Sequence, residues 1–213
     1  MALLAALGVG ACSAGTEASR DFPANWTYLE GAEEPVTGQR GMVVTTDELA
    51  SRVGQDVLTA GGNVVDAAVA VHFTLAVVNP EAGNIGGGGF MVLHLADGHR
   101  AALDFRETAP LAATRDMFLD EDGNVTDRSL VGHLATGVPG SVAGMWEAHQ
   151  RYGTRPWSEL VQPAIDLARG FEVRARFLTA LDPAMVQSLS EFPASAAQFL
   201  PRGGQPPALG DTL

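Results

Sequence analysis

The sequence has a single cysteine, Cys12, among its 213 residues. One thiol excludes an intramolecular disulfide and a zinc site built from several thiolates. Positive charge is also scarce, because 13 Lys and Arg residues stand against 25 Asp and Glu residues and the formal net charge is -12. Phosphate backbones and anionic lipid surfaces attract basic patches, so nucleic acid is not expected as a partner.

The sequence also lacks metal-ligand and nucleophile motifs. None of the five histidines has the spacing of an HExxH pair or of another ligand set, so no metal ion and no other cofactor is expected. Ser141 lacks the Gly-x-Ser-x-Gly spacing of a nucleophile elbow and is interpreted as a serine early in a helix. The histidines are His72, His94, His99, His133 and His149.

The apolar run near the start of the chain is too short to cross a bilayer as a helix. Residues 2–11 (ALLAALGVGA) have the length of a signal-peptide core, and residues 9–12 (VGAC) resemble a bacterial lipobox. We therefore predict a signal peptide with a lipobox over residues 1–12, lipidation of Cys12, and an extracytoplasmic protein in the periplasm or anchored to the membrane. The basic region of a signal peptide is missing, so the true start is expected upstream. The alternatives are a plain secretory signal or an apolar N terminus with a free thiol.

Residues 13–40 are rich in Gly, Ala, Thr, Glu and Pro without an apolar period, and they predict a flexible tether. The folded domain is predicted over residues 41–213. Its first element is expected to be a buried strand over residues 41–46, followed by a helix that Asp47 caps.

Residues 64–78 are apolar on nearly every side and predict a core helix. The segment's length, together with Asp66 and His72 within it, disfavours a membrane span. Asp66 lies in the first turn, where an acid favours the positive end of the helix dipole.

A glycine run at residues 86–89 leads into two strand-like runs, 90–95 and 100–106, which flank an Asp-Gly pair. Asp-Gly between apolar runs predicts a β-hairpin. A phosphate loop would need a lysine and a following helix. The glycine run is therefore interpreted as a place where the backbone takes positive φ or approaches another segment closely.

The remaining sequence predicts helices with breaks. Pro139 is expected as an early helix residue. A helix over residues 160–169 is expected to break or kink at Pro163, and a helix over residues 171–189 is expected to be interrupted by its proline. Residues 199–213 are rich in Pro and Gly and predict a loop that is cut off midway.

Arg106 ends an apolar strand at the point where the sheet is expected to give way to a loop. An arginine held there can make two parallel hydrogen bonds to a carboxylate, a geometry that lysine cannot supply. The alternative is an internal ion pair with Asp104 or Glu107. Spacing alone favours the ion pair.

Several segments, taken in order and spacing, resemble the γ-glutamyltranspeptidase family. They are GMVV at 41–44, LAS at 49–51, GGNVVDAAVA at 61–70, NIGGGGF at 84–90, DFRETAP at 104–110, GVPGSVAG at 137–144, YG at 152–153 and LVQPAI at 160–165.

The resemblance implies an α/β (α+β) fold, here an incomplete αββα sandwich of the amino-terminal-nucleophile (Ntn) hydrolase type. A family precursor cuts itself before a threonine to give a large and a small subunit. That threonine attacks the γ-glutamyl amide of glutathione, and water or an acceptor amino acid takes the acyl group. Residues 41–213 would be the N-terminal portion of the large subunit. No catalytic residue is then expected in this fragment, which should be inactive without the small subunit from the same precursor.

Arg106 matches the family arginine that binds the α-carboxylate of the glutamyl group, so the resemblance implies that Arg106 binds substrate. Two other functions stay open. One is a related acylase of the cephalosporin or poly-γ-glutamate type, and the other is a catalytically dead, lipid-anchored binding homologue.

Overall fold

The computed structural model of the chain describes residues 37–39 and 41–213. Cys12, the expected signal segment and nearly all of the expected tether lie outside the described residues. Those predictions, and the domain boundary at residue 41, therefore stay predictions. All elements below belong to the unit that spans Gln39–Leu213.

Helix α1 spans Glu48–Thr59 and begins where the sequence predicts. The side chain of Asp47 caps it by accepting a hydrogen bond from the amide of Leu49 at 2.8 Å. Gly54 is buried in this helix, and its missing side chain leaves room for Val71 of the next helix. The two helices can therefore pack closely.

Residues 41–46 do not form the predicted strand and have no regular secondary structure. A strand needs a partner, and the strands of the described sheet pair with each other. Thr45 Oγ1 donates to the carbonyl of Asp47 at 2.6 Å, and Asn79 Nδ2 donates to Thr46 Oγ1 at 2.8 Å. These side-chain hydrogen bonds hold the segment in place without a β-ladder.

Helix α2 spans Val64–Val78, as predicted. Asn63 and Asp66 form a capping box: the Asn63 side chain accepts from the amide of Asp66, and the Asp66 carboxylate accepts from the amide of Asn63, each at 2.9 Å. In the described part of the chain, no helix is both long enough and apolar enough to cross a membrane.

Strands β1 (Phe90–His94) and β2 (Arg100–Asp104) form the predicted antiparallel hairpin. In its register Phe90 lies opposite Asp104. Gly98 takes a φ of 86° in the connecting turn, which glycine adopts without steric cost.

The two faces of the hairpin differ in burial. Leu93 and Leu103 are buried in a cluster with Val65 of α2. Phe90 and Val92 on the opposite face are 67% and 84% exposed. Side chains alternate between the faces of a strand, so helices cover only one face of the hairpin within the described residues.

Helix α3 spans Ser141–Tyr152, so Pro139 precedes it and is not an early helix residue. The amides of Gly140 and Ser141 both donate to the carbonyl of Gly87, at 2.8 and 2.9 Å. The first amides of a helix have no acceptor within the helix. The Gly87 carbonyl provides that acceptor, and α3 begins there.

Helix α4 spans Trp157–Leu167 and continues through Pro163, so the proline predicted to break or kink the helix does not break it. Leu160 and Ala164, on either side of the proline, are buried in a cluster with Phe73 of α2. This packing offsets the backbone hydrogen bond that proline cannot donate.

Two short helices stand where one interrupted helix was predicted over residues 171–189, and a third short helix follows them. Pro183 begins a helix, because its fixed φ and missing N–H suit the first turn. Glu172 forms a β-bridge with Thr212, so the end of the predicted loop over residues 199–213 is tied to the core. The helices are α5 (Ala175–Thr179), α6 (Pro183–Ser190) and α7 (Pro193–Phe199).

Helix α2 contributes to all three hydrophobic clusters of the core, through Val69, Val78 and Val65. The hairpin and the other long helices are therefore positioned against α2. Phe105 is partly buried against two of these clusters. The packed core thus extends to the residue that directly precedes Arg106.

Candidate functional site

Arg106 lies just beyond the end of β2, as the sequence predicts. Strand pairing extends one residue past the strand, because the amide of Phe105 donates to the carbonyl of Gly89 at 3.0 Å and the reverse hydrogen bond is 3.4 Å. The amide of Arg106 donates instead to Oδ1 of Asp104 at 3.0 Å. The chain leaves the sheet at Arg106.

Neighbouring segments hold the backbone around Arg106. A Cβ atom at Gly88 would lie 2.6 Å from the amide nitrogen of Glu107 and 2.8 Å from Cα of Arg106. Thr108 and Val138 form an isolated β-bridge with N···O distances of 3.2 and 2.8 Å. The close approach at Gly88 confirms the interpretation of the glycine run as a backbone feature.

The guanidinium of Arg106 is paired on one side only. Its Nε lies 3.3 Å from Oε2 of Glu107, and the two side chains are 60% and 31% exposed. The internal ion pair considered from the sequence is therefore present, with Glu107 and not with Asp104. No residue in the described ranges hydrogen-bonds to Nη1 or Nη2.

This arrangement suits the binding of a carboxylate by the two terminal nitrogens of Arg106. Two parallel N–H groups match the two oxygens of a carboxylate. Because the side chains are substantially exposed, the ion pair with Glu107 contributes at most about 1 kcal/mol to stability. The contact is made at Nε and leaves Nη1 and Nη2 to face outward.

His72 on α2 lies in an environment that perturbs its titration. Burial lowers the pKa of its imidazole below the ordinary value of 6.5, and a backbone hydrogen bond with Asn84 partly opposes that effect. Its Nε2 is buried and has no hydrogen-bond partner among the described residues. Both observations disfavour the charged imidazolium at this position.

The other residues considered from the sequence take no part in the Arg106 site. Ser141 is the first residue of α3 and only 1% exposed, which confirms the interpretation of an early helix serine. Over residues 37–39 and 41–213, no group of three or more His, Cys, Asp or Glu side chains is arranged to hold a metal ion.

From the sequence, Asp104 was considered only as an alternative ionic partner of Arg106. In the structure Asp104 accepts from the Arg106 backbone amide and leaves the guanidinium to Glu107. An Asp side chain often accepts from the backbone amide two residues further on, and the sequence DFR at residues 104–106 allowed for that contact.

The chain is similar to several known proteins. Residues 50–213 match the family model described as gamma-glutamyltranspeptidase. The glutathione hydrolase proenzyme of Escherichia coli (strain K12) is 46% identical over 212 residues, which cover 99% of this chain and 36% of that protein. The acylase ACY 1 proenzyme of Pseudomonas sp. (strain V22) is 45% identical over 182 residues, which cover 82% of this chain and 32% of that protein.

A solved structure has the same fold. The crystal structure of Helicobacter pylori γ-glutamyltranspeptidase superposes with a TM-score of 0.80 at 46% identity, covering 84% of this chain and 52% of that chain. The likeness confirms the expected α/β fold, with helices and a hairpin belonging to an αββα Ntn-hydrolase sandwich. The chain spans about a third of the length of the relatives it matches. Sequence and structure agree that this chain belongs to the γ-glutamyltranspeptidase family.

Proposed function

We propose that this chain contributes the glutamate-binding side of a γ-glutamyl transferase and hydrolase that acts on glutathione and related γ-glutamyl amides. The proposal rests on one observation: Nη1 and Nη2 of Arg106 have no partner among the described residues, while Glu107 lies beside Nε. A relative named glutathione hydrolase proenzyme, 46% identical, supports the substrate class. Nη1 and Nη2 would each donate to one oxygen of the glutamyl α-carboxylate.

In the proposed enzyme, the bond-breaking residues would belong to the small subunit. A longer precursor would cleave itself before a threonine, and the small subunit so formed would be this chain's partner. The threonine hydroxyl would lose its proton to the threonine's own α-amine and attack the carbonyl carbon of the substrate amide. The amine of the substrate would then leave with that proton as a γ-glutamyl ester forms. Water would convert the ester to glutamate, or an acceptor amino acid would take the acyl group.

The test uses the full-length gene product. The purified protein is expected to separate into two chains on a denaturing gel and to release glutamate from glutathione. A protein that is processed but does not act on glutathione would contradict the γ-glutamyl assignment. A protein that is neither processed nor active would be a binding homologue.

A related acylase is the second candidate, because the acylase ACY 1 proenzyme is 45% identical to the chain. Such an enzyme would cleave the amide of an acyl group other than the γ-glutamyl group of glutathione. The ratio of kcat/KM for glutathione to kcat/KM for a cephalosporin amide separates the two. A ratio well below one would favour the acylase.

We further propose that Cys12 is lipidated after signal cleavage, which would make the protein an extracytoplasmic lipoprotein of the periplasm or membrane surface. The apolar residues 2–11 and the lipobox-like VGAC at residues 9–12 support this. Cells expressing the full-length protein are labelled with a radioactive fatty acid. The label should appear in the wild type and be lost in Cys12→Ala, and an unlabelled wild type would rule out the anchor.

A further inference from the structure

We propose that Asp104 is a positioning residue for Arg106: its side-chain oxygen fixes the direction in which the guanidinium leaves the sheet. This inference rests on the proposed function, because it concerns how the glutamyl carboxylate is held. The contact that carries it is the hydrogen bond from the Arg106 amide to Oδ1 of Asp104 at 3.0 Å.

Strand geometry explains why the Arg106 amide needs this partner. Gly89 and Phe105 exchange both of their backbone hydrogen bonds. In an antiparallel ladder such a pair is followed by one that exchanges none, so the amide of Arg106 points away from β1. Gly88 precedes Gly89 and lies opposite Arg106, but it cannot accept a hydrogen bond from an amide that points away from it. The carboxylate of Asp104 lies on the exposed edge of β2 and accepts it instead.

Asp104 has no other partner in the described structure. Neither a hydrogen bond from another residue nor an ion pair engages its carboxylate there. Its side chain is exposed, so it fills no space in the core. The one hydrogen bond of its side chain in the described structure is therefore to the amide of Arg106, where the chain leaves the sheet.

Loss of this acceptor would leave the Arg106 amide to water and would free the backbone dihedral angles on both sides of it. The exposed ion pair with Glu107 is too weak to hold the guanidinium alone. A loosely held arginine still attracts an anion, but it no longer presents two parallel donors at a fixed place. Asp104 should therefore affect the recognition of the carboxylate specifically.

The experiment compares two substrates of the full-length, processed protein. One is a γ-glutamyl anilide, and the other is the same anilide with its α-carboxylate replaced by a carboxamide. The measured quantity is the ratio of kcat/KM for the carboxylate to kcat/KM for the carboxamide. Asp104→Ala should lower this ratio about three- to tenfold, the effect of one lost hydrogen bond. Asp104→Asn keeps an acceptor oxygen, so its ratio should stay near that of the wild type.

Asp97→Ala is the matched control. Asp97 is also exposed, and its Oδ1 accepts from the amide of His99 at 2.9 Å in the same i to i+2 pattern, in the turn between β1 and β2. This variant loses an equivalent hydrogen bond away from Arg106 and should keep the wild-type ratio. Exchange of the Arg106 amide hydrogen, followed by mass spectrometry, should accelerate in Asp104→Ala only.

Three outcomes separate the possibilities. An unchanged ratio in Asp104→Ala overturns the positioning role, even if activity falls equally on both substrates. An equal loss in Asp104→Asn and Asp104→Ala overturns it as well, because charge would then be the cause. A wild type without preference for the carboxylate, or an Arg106→Ala variant that keeps the preference, overturns the proposed function itself and this inference with it.

Discussion

The carboxylate of Asp66 accepts hydrogen bonds from both the backbone amide and the hydroxyl of Thr154, 88 residues further along the chain, at 2.9 and 2.5 Å. The amide of Arg155 also donates to Asp66, at 3.2 Å. The side chain of Asp66 is fully buried. One acid thus caps α2 and joins its start to the turn between α3 and α4.

Replacing Asp66 should destabilise the fold strongly. Asp66→Ala leaves the amides of Asn63, Thr154 and Arg155 without their acceptor, and buried donors without partners are costly. The free energy of unfolding is expected to fall by about 3 kcal/mol, measured by urea denaturation. Asp56→Ala, an exposed position in α1, is the control and should change it by less than about 0.5 kcal/mol. Equal effects of the two substitutions would contradict the assigned role.

The same carboxylate predicts an acid-sensitive fold. Burial works to raise the pKa of Asp66, but hydrogen bonds from Thr154, Asn63 and Arg155 outweigh it and hold the pKa below the ordinary value of 3.8. The unfolded chain therefore binds the proton more readily than the folded chain. The stabilisation is complete above pH 3.8 and is lost as the pH falls through the folded-state pKa. Urea titrations at decreasing pH should detect this loss, which Asp66→Asn should lack.

His72 predicts a separate effect at higher pH. Burial lowers the pKa of its imidazole below 6.5, so the unfolded chain binds this proton first as the pH falls. His72 therefore does not reduce the free energy of unfolding above pH 6.5. Below pH 6.5 the free energy of unfolding declines until the pH reaches the lower folded-state pKa. His72→Leu should flatten the dependence of the free energy of unfolding on pH in this window. A variant with the same slope as the wild type would show that His72 does not cause it.

Gly144 should be intolerant of a side chain. A Cβ atom there would lie 2.2 Å from Cγ of Phe105, which directly precedes Arg106. Gly144→Ala would favour the helix by up to about 1 kcal/mol, but forcing the ring aside should cost about 1–3 kcal/mol. A net loss of stability is therefore expected, together with weaker substrate binding because Arg106 moves with Phe105.

Gly86→Ala is the control for this steric effect, because a Cβ atom there meets nothing within 4 Å. Its melting temperature should equal that of the wild type. Adding Phe105→Leu to Gly144→Ala should recover part of the lost stability. If the double variant lost more stability than the two single variants lose in total, the clash would not be the cause.

Local patterns predicted the parts of the fold that depend on neighbouring residues. The apolar stretch now seen as α2, the Asp-Gly hairpin and the Asp47 cap are all signals contained within about one turn or one hairpin. The placement of Arg106 beyond β2 followed from the same hairpin. The sequence thus predicted where Arg106 leaves the sheet, but it did not decide whether Asp104 or Glu107 pairs with the guanidinium.

Predictions failed where contacts between distant segments decide the structure. Pro163 remains within α4 because residues on both sides of it pack on α2. Residues 41–46 show no strand because they find no strand partner in the described residues, and Glu172 is extended because it pairs with Thr212. Asp66 was expected only to favour the helix dipole, since nothing in the sequence connects it to Thr154.

The most direct test of the account is the KM of the full-length protein for glutathione with Arg106 replaced by alanine and by lysine. Arg106→Ala should raise KM about ten- to a hundredfold, the equivalent of about 1.5–3 kcal/mol for a charged hydrogen bond. Arg106→Lys retains the charge but not the two parallel donors, so its KM should lie between those of the alanine variant and the wild type. A KM close to the wild-type value in Arg106→Ala would contradict the claim that this residue holds the glutamyl carboxylate.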